Sequence, residues 1–290
     1  MKYAYFPGCV AKGACKELDK SVRLVADKLK IELTELTAAS CCGAGVIGET
    51  RPRLNVALNA RTFAQAEQMG MDILTVCSTC YGVFEDVNNK LKDEHELDNV
   101  NFEIGKIGYR YSGRTSIKHL LEILVKDYGL DKLKNEVVKP LKGFKPAAVY
   151  GCHLLRPSAM MKFDDPKKPS SMERLFSAVG AKAVHFEGRK KCCGFPILMT
   201  NKEASLKLAA DVLLDAKRNG ANCIVTACPL CHLNFDSIQP EIETLIGEKI
   251  EMPVLHLSQL VGLSLGIPYD ELGLDKHVVK TDKLTRILNI

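Results

Sequence analysis

The chain has 290 residues, enough for two domains of ordinary size or one pseudo-symmetric double domain, and its hydrophobic fraction of 46% and charged fraction of 26% are those of a folded globular protein. Its net charge of +5 is mild and spread along the sequence, which makes no case for nucleic acid but suits a small anionic substrate. No apolar run approaches the roughly 20 residues of a membrane helix, and Met1-Lys2 leads directly into Tyr3-Ala4-Tyr5-Phe6, so neither a membrane segment nor an N-terminal signal is expected and the protein is expected in the cytosol.

Residues 2–6 alternate weakly and read as a short strand ending in the turn Pro7-Gly8-Cys9. Leu18, Val22, Val25 and Leu29 recur at helical spacing. Ile31, Leu33 and Leu36 suggest a second strand, followed by Cys41-Cys42-Gly43 in a turn of small residues. A helix from about residue 53 to Met69 closes at Gly70, and Asp72 to Val76 forms a third strand ending at Cys77, with a further helix starting near Cys80. The second half follows the same order. Ala147 to Tyr150 precedes Gly151-Cys152, Ala183 to Phe186 precedes Cys192-Cys193-Gly194, and Ile224 to Ala227 precedes Cys228; Leu206, Ala209, Leu213 and Ala216 share one helix face, which Gly220 caps. Arg114–Tyr128 and Pro253–Gly266 end the two halves alike. Strand, helix, strand order implies parallel pairing with right-handed crossovers, which gathers the cysteines beyond the C-terminal ends of the strands.

The repeat is also visible in the cysteines themselves: Cys9, Cys41-Cys42-Gly43 and Cys77-x-x-Cys80, then Cys152, Cys192-Cys193-Gly194 and Cys228-x-x-Cys231. In both copies 34 residues separate the cysteine pair from the Cys-x-x-Cys, whereas the lone cysteine precedes the pair by 31 residues in the first copy and 39 in the second. The pattern marks a duplication, with a first domain at 1–130, a linker at 131–145 and a second domain at 146–290. The extra residues of the second copy fall in Arg156–Ser171, either a plain surface loop or a lid or docking loop.

In a reducing cytosol, cysteines at repeated spacing bind metal or do redox chemistry rather than pair as disulfides. Zinc is the plain alternative, but a structural zinc site takes four ligands in a tetrahedron and each copy offers five. Adjacent cysteines strain to chelate one ion but can reach different irons of a polynuclear cluster, which favours iron-sulfur. Cys15 and Cys223 have no counterpart in the other copy and read as plain thiols.

This doubled pattern resembles the cysteine-rich CCG domain, in the two-copy arrangement of the B-type component of heterodisulfide reductase, over the whole chain and with all ten cysteines of the family pattern in place. The resemblance implies an α/β fold of two pseudo-twofold-related CCG domains, each a small parallel sheet with flanking helices and a cluster at the strand C-terminal edge. It implies two non-cubane 4Fe-4S clusters, each held by five thiolates and facing each other across the axis. The implied substrate is the mixed disulfide of coenzyme M and coenzyme B, reduced to two thiols in methanogenesis. The implied partners are a ferredoxin-like iron-sulfur subunit and a flavin subunit, since the chain has no ligands for a relay cluster and no Gly-x-Gly-x-x-Gly fingerprint of its own.

Thiol products need protons. His153, beside Cys152, is the first candidate donor, with a hydrogen bond to a cluster sulfur as its other reading; His232 is a weaker choice, and His119 and His256 read as core residues. The sulfonate, carboxylates and phosphate of the coenzymes call for basic contacts, for which Arg156, Arg189, Lys190 and Lys191 lie near cluster ligands, with Lys12 and Arg51 in the first copy. The cysteine pattern leaves two alternatives to the disulfide reductase: a redox subunit of a succinate, lactate or glycolate type complex, and a non-catalytic metal-stabilised scaffold.

Overall fold

The computed structural model describes residues 1–288. Among these, strands β1 (Lys2–Phe6), β2 (Glu32–Glu35), β3 (Ile73–Thr75) and β4 (Ile117–His119) form one sheet in the order β2-β1-β3-β4, and β5 (Pro146–Val149), β6 (Cys223–Thr226) and β7 (Val254–His256) form another in the order β5-β6-β7. All pairings are parallel. Parallel sheets are covered on both faces by their crossover helices, and Tyr3 to Phe6, Ile73 to Thr75 and all of β5, β6 and β7 are accordingly buried. Both copies thus have the expected α/β architecture, with the cysteines at the strand C-terminal ends.

Three details differ from the sequence reading. Each sheet gains a last strand, β4 or β7, of three residues, too short for alternation to show. The strand expected at Ala183–Phe186 shrinks to a single bridge between Ala147 and Val184. After Val184 the chain turns into a 3-10 helix at Glu187–Lys190, and the Tyr150 N–H bonds to the Arg189 carbonyl instead of extending a ladder. The charged stretch 131–145, which lacks periodicity in the sequence, begins in the helix Leu130–Asn135 and buries Leu133, Leu141 and Phe144; Val138 and Lys139 donate to the Ser264 carbonyl and Leu141 to that of Val179.

The copies pack reciprocally. The Lys16–Lys28 helix meets the Leu257–Ser264 helix, where Ser21 and Ser258 hydroxyls are 2.6 Å apart, and the Ser78–Lys90 helix meets the Cys152–Leu155 turn. The Arg156–Ser171 insertion is a loop tied by the Asp164 carboxylate to the Ser170 and Ser171 N–H groups, with Met161 buried and Phe163 beneath the Lys126 ammonium of the first copy, 4.9 Å from the ring centroid.

Candidate metal centre

Six of the ten repeated cysteines sit where a strand ends or a helix begins, and the two Cys-Cys pairs lie in loops. Cys9 and Cys152 open short helices after β1 and β5; Cys77 and Cys228 are the N-cap residues of the helices after β3 and β6, which places Cys80 and Cys231 in their first turns. All twelve cysteines are free thiols. The Cys9 and Cys41 sulfurs are 3.8 Å apart and those of Cys42 and Cys80 are 3.4 Å apart. Cys77 and Cys228, from opposite copies, are 3.7 Å apart. Among the described residues no three His, Cys, Asp or Glu side chains gather at the spacing of a single metal ion; the sulfurs lie instead in rows, with Cys41 between Cys9 and Cys42 and Cys192 between Cys152 and Cys193. Cys9 and Cys41 are exposed and Cys152 and Cys192 half-buried, while the other eight are buried.

The Cys-Cys-Gly turn is held by its backbone. Gly43 and Gly194 have φ of 77° and 88°, a region L side chains rarely adopt. A Cβ on Gly43 would fall 2.3 Å from Asn55 Nδ2, and one on Gly194 would fall 2.6 Å from the Ser205 carbonyl. The glycine N–H groups point at Cys41 and Cys192 Sγ, both at 3.4 Å. The Cys42 carbonyl accepts from Asn55 (2.7 Å) and Asn59 (3.0 Å), and the Cys193 carbonyl accepts from Asn234 (2.7 Å). Sequence reasoning misses these asparagines. Asn55 and Asn59 stand at i and i+4 on the buried face of the Pro52–Gln68 helix, and buried amides at that spacing are the available signal.

Electrostatically, the first set holds one readily ionised thiol among donors and the second holds two. Hydrogen bonds from Cys42 and then Cys9 draw Cys41 down to about 2, and bonds from Cys152 and then Cys193 draw Cys192 down to about 2. Their partners move the other way: Cys42 and Cys193 rise to about 12, chiefly through the bonds they give to Cys41 and Cys192. At the axis, bonds from Cys231 and Cys77 hold Cys228 well below its ordinary value, while Cys77 is pushed up mainly by its bond to Cys228. Metal ligation requires thiolates, and five this close repel one another unless positive charge lies between them. Each set therefore fits a cationic metal-sulfur group, with a glycine N–H already aimed at one of its sulfurs.

His153 is half-buried and lies against Gly82 of the Ser78–Lys90 helix, where an added Cβ would come within 2.8 Å of His153 Nδ1. His232 is buried, its ring edge-on to His277 at 4.8 Å, with Nδ1 unpartnered. Of the basic candidates, Arg189 pairs with Glu173 at 3.2 Å, Lys190 donates to the Lys167 carbonyl at 2.9 Å and Lys12 pairs with Glu35 at 2.6 Å. Arg156, Lys191 and Arg51 are exposed and in no ion pair among the described residues. Cys15 and Cys223 are buried, Cys223 inside β6.

The model of the cysteine-rich domain, CCG, matches residues 3–85 and 147–236. The chain belongs to the cysteine-rich CCG domain family. Among its relatives, the 8-methylmenaquinol:fumarate reductase membrane anchor subunit of Wolinella succinogenes is 39% identical over 98% of this chain and 99% of its own. The B component of the ferredoxin/F(420)H(2)-dependent CoB-CoM heterodisulfide reductase of Methanosarcina acetivorans is 36% identical over 96% and 94%. A hypothetical protein from Helicobacter pylori has the same fold, with a TM-score of 0.79 at 19% identity over 97% of this chain and 52% of that one. This CCG protein is therefore of an oxidoreductase-component type, and its donor set suits iron-sulfur clusters. Among the described residues no helix is long and apolar enough to cross a membrane.

Proposed function

We propose that the chain is the substrate-reducing component of an oxidoreductase complex, with one non-cubane four-iron cluster held by Cys9, Cys41, Cys42, Cys77 and Cys80 and a second held by Cys152, Cys192, Cys193, Cys228 and Cys231. Its substrate is a mixed disulfide of two anionic cofactor thiols, the coenzyme M and coenzyme B pair named for relatives. The observation that supports this reading is the 3.7 Å approach of Cys77 and Cys228, one sulfur from each set. A disulfide has two sulfurs, and its reduction to two thiols consumes two electrons and two protons.

Bound clusters supply electrons one at a time. The chain itself orients and protonates. His153, wedged between Gly82 and the Cys152 turn, holds a proton beside the second site. Arg156 and Lys191, in no ion pair among the described residues, receive the anionic ends of the substrate. With no nucleotide fingerprint in its sequence, the chain takes electrons from a ferredoxin-like subunit, which a flavin subunit supplies in turn. The similarity to the fumarate reductase relative supports a second reading, in which the chain passes electrons on within such a complex and turns over no disulfide. Anaerobic assay with the coenzyme disulfide and a reduced viologen separates the two: release of both thiols supports the first reading, and a reduced protein that releases none supports the second.

A further inference from the structure

The segments that carry the innermost cysteines are held by the opposite copy. His119, the last residue of β4, accepts the Leu121 N–H at Nδ1 (3.1 Å), so its proton is on Nε2, which donates to the Ala227 carbonyl at 2.9 Å. Ala227 immediately precedes Cys228. His256, the last residue of β7, likewise accepts the Ser258 N–H at Nδ1 (3.3 Å) and donates from Nε2 to the carbonyl of Val76, immediately before Cys77, at 3.3 Å. Both histidines are 0% exposed. From between Cys77 and Cys80, the Ser78 hydroxyl reaches the same Ala227 carbonyl at 2.9 Å and that of Tyr150 at 3.2 Å, and the Thr79 hydroxyl lies 3.8 Å from Cys228 Sγ.

A buried carbonyl that loses its donor costs more than the bond itself contributes, because water cannot replace the donor. Each Cys-x-x-Cys segment therefore depends on a histidine that its own copy does not supply. Within its own copy each histidine caps the helical turn that follows, and His119 also meets the Tyr81 ring edge-on at 6.1 Å. We infer that His119 and His256 are positioning residues acting crosswise: His119 sets the Cys228–Cys231 ligands of the second site, His256 sets the Cys77–Cys80 ligands of the first, and the two sites are assembled as one unit. This concerns the cysteine segments themselves and stands whichever reaction they serve.

The test is His119→Asn and His256→Asn in the full chain, purified anaerobically. Asparagine is a good N-cap, so the local contact survives, but it is too short to reach across. Hydrogen exchange read by mass spectrometry should rise about five- to tenfold over residues 223–231 in H119N and over 73–80 in H256N, with the histidine's own segment changing less. Iodoacetamide labelling should follow the same crossed pattern, at Cys228 and Cys231 or at Cys77 and Cys80. His119→Gln, which keeps a long amide donor, should return exchange toward the unsubstituted level. An uncrossed pattern, or equal disturbance in the Asn and Gln variants, overturns the inference. If H119N does not fold, Ser78→Ala, which removes the other donor to Ala227, must loosen 223–231 or the inference falls. Iron content is read separately: iron missing from the unsubstituted chain counts against the cluster reading and leaves the exchange pattern to decide this one.

Discussion

Cys77 and Cys228 are 151 residues apart in sequence, yet their sulfurs are 3.7 Å apart and buried between the two copies. The approach follows from where each cysteine sits, as N-cap of a helix that begins at the C-terminal edge of an inner strand of its copy. Any group bound at one site is thus close to a group bound at the other.

The first expectation concerns content. Protein purified without air should be brown and carry iron and acid-labile sulfide in similar amounts, with both copies loaded. Cys42→Ser should reduce iron at the first site and Cys193→Ser at the second, and either change should abolish disulfide turnover. Elemental analysis showing zinc without sulfide would sink the assignment.

Gly82 is expected to matter through His153. Alanine is the better helix former by about 1 kcal/mol, but its Cβ would press on His153 Nδ1 and Cβ at 2.8 and 2.9 Å. Gly82→Ala should cut turnover by about tenfold or more through this displacement, with iron unchanged. A Gly82→Ala enzyme as fast as the unsubstituted one would remove His153 from the reaction.

The basic residues should divide into two kinds. Arg189 has a side chain 14% exposed and is tied to Glu173, which also accepts the Tyr150 hydroxyl. Arg189→Ala should therefore cost stability, on the order of 1–3 kcal/mol, and leave KM for the disulfide little changed. Arg156→Ala and Lys191→Ala should do the reverse, raising KM about tenfold by loss of a charge-assisted contact with unfolding midpoints unaltered. Denaturant titrations beside steady-state kinetics read both.

Acid should loosen the fold through its buried histidines. Burial holds His119, His256 and His277 down to about 4, against an ordinary value near 6.5 in the unfolded chain. Between those values the unfolded state binds protons that the folded state refuses. Stability is therefore complete above pH 6.5 and falls as the pH drops toward 4, by at most about 1.4 kcal/mol per pH unit for each histidine. Unfolding midpoints at pH 7, 6 and 5 measure this, and replacing His277 by Gln should flatten the slope. A midpoint independent of pH over this range would contradict the burial of these rings.

The ten repeated cysteines and the strands that carry them are legible because the duplication repeats their spacing, and Gly43, Gly70, Gly194 and Gly220 mark turns in any context. What supports the cysteines is not legible. Asn234 reaches the Cys193 carbonyl from the Pro229–Asp236 helix, 41 residues away, while the equivalent carbonyl in the first copy is held from the Pro52–Gln68 helix. No spacing in the sequence relates the two solutions. His119 and His256 read as core residues and are buried, but their partners are in the other half of the chain, and local pattern carries no record of that. Arg189 reads as a free cation because Glu173 is 16 residues away and approaches it only through the fold.

The contacts across the axis pair residue i with j and again j with i: His119 with Ala227 and His256 with Val76, the Lys16–Lys28 helix with Leu257–Ser264 and the Ser171–Ala178 helix with 120–127, the Ser78–Lys90 helix with the Cys152–Leu155 turn and the Pro229–Asp236 helix with the Cys9–Lys12 turn. The crossed histidines follow the rule of an isologous homodimer. The chain is accordingly a dimer joined end to end, and joining freed each half to drift without having to match itself. Ser78 corresponds to Pro229, one sheet edge keeps β2 where the other keeps a single bridge, and the Arg156–Ser171 loop exists once. A half-length chain built from either copy alone could pair with itself and regain the crossed histidines, but it would present two identical mouths. The fused chain presents one open at Cys9 and Cys41 and one half-covered at Cys152 and Cys192, so its two ends can serve different neighbours.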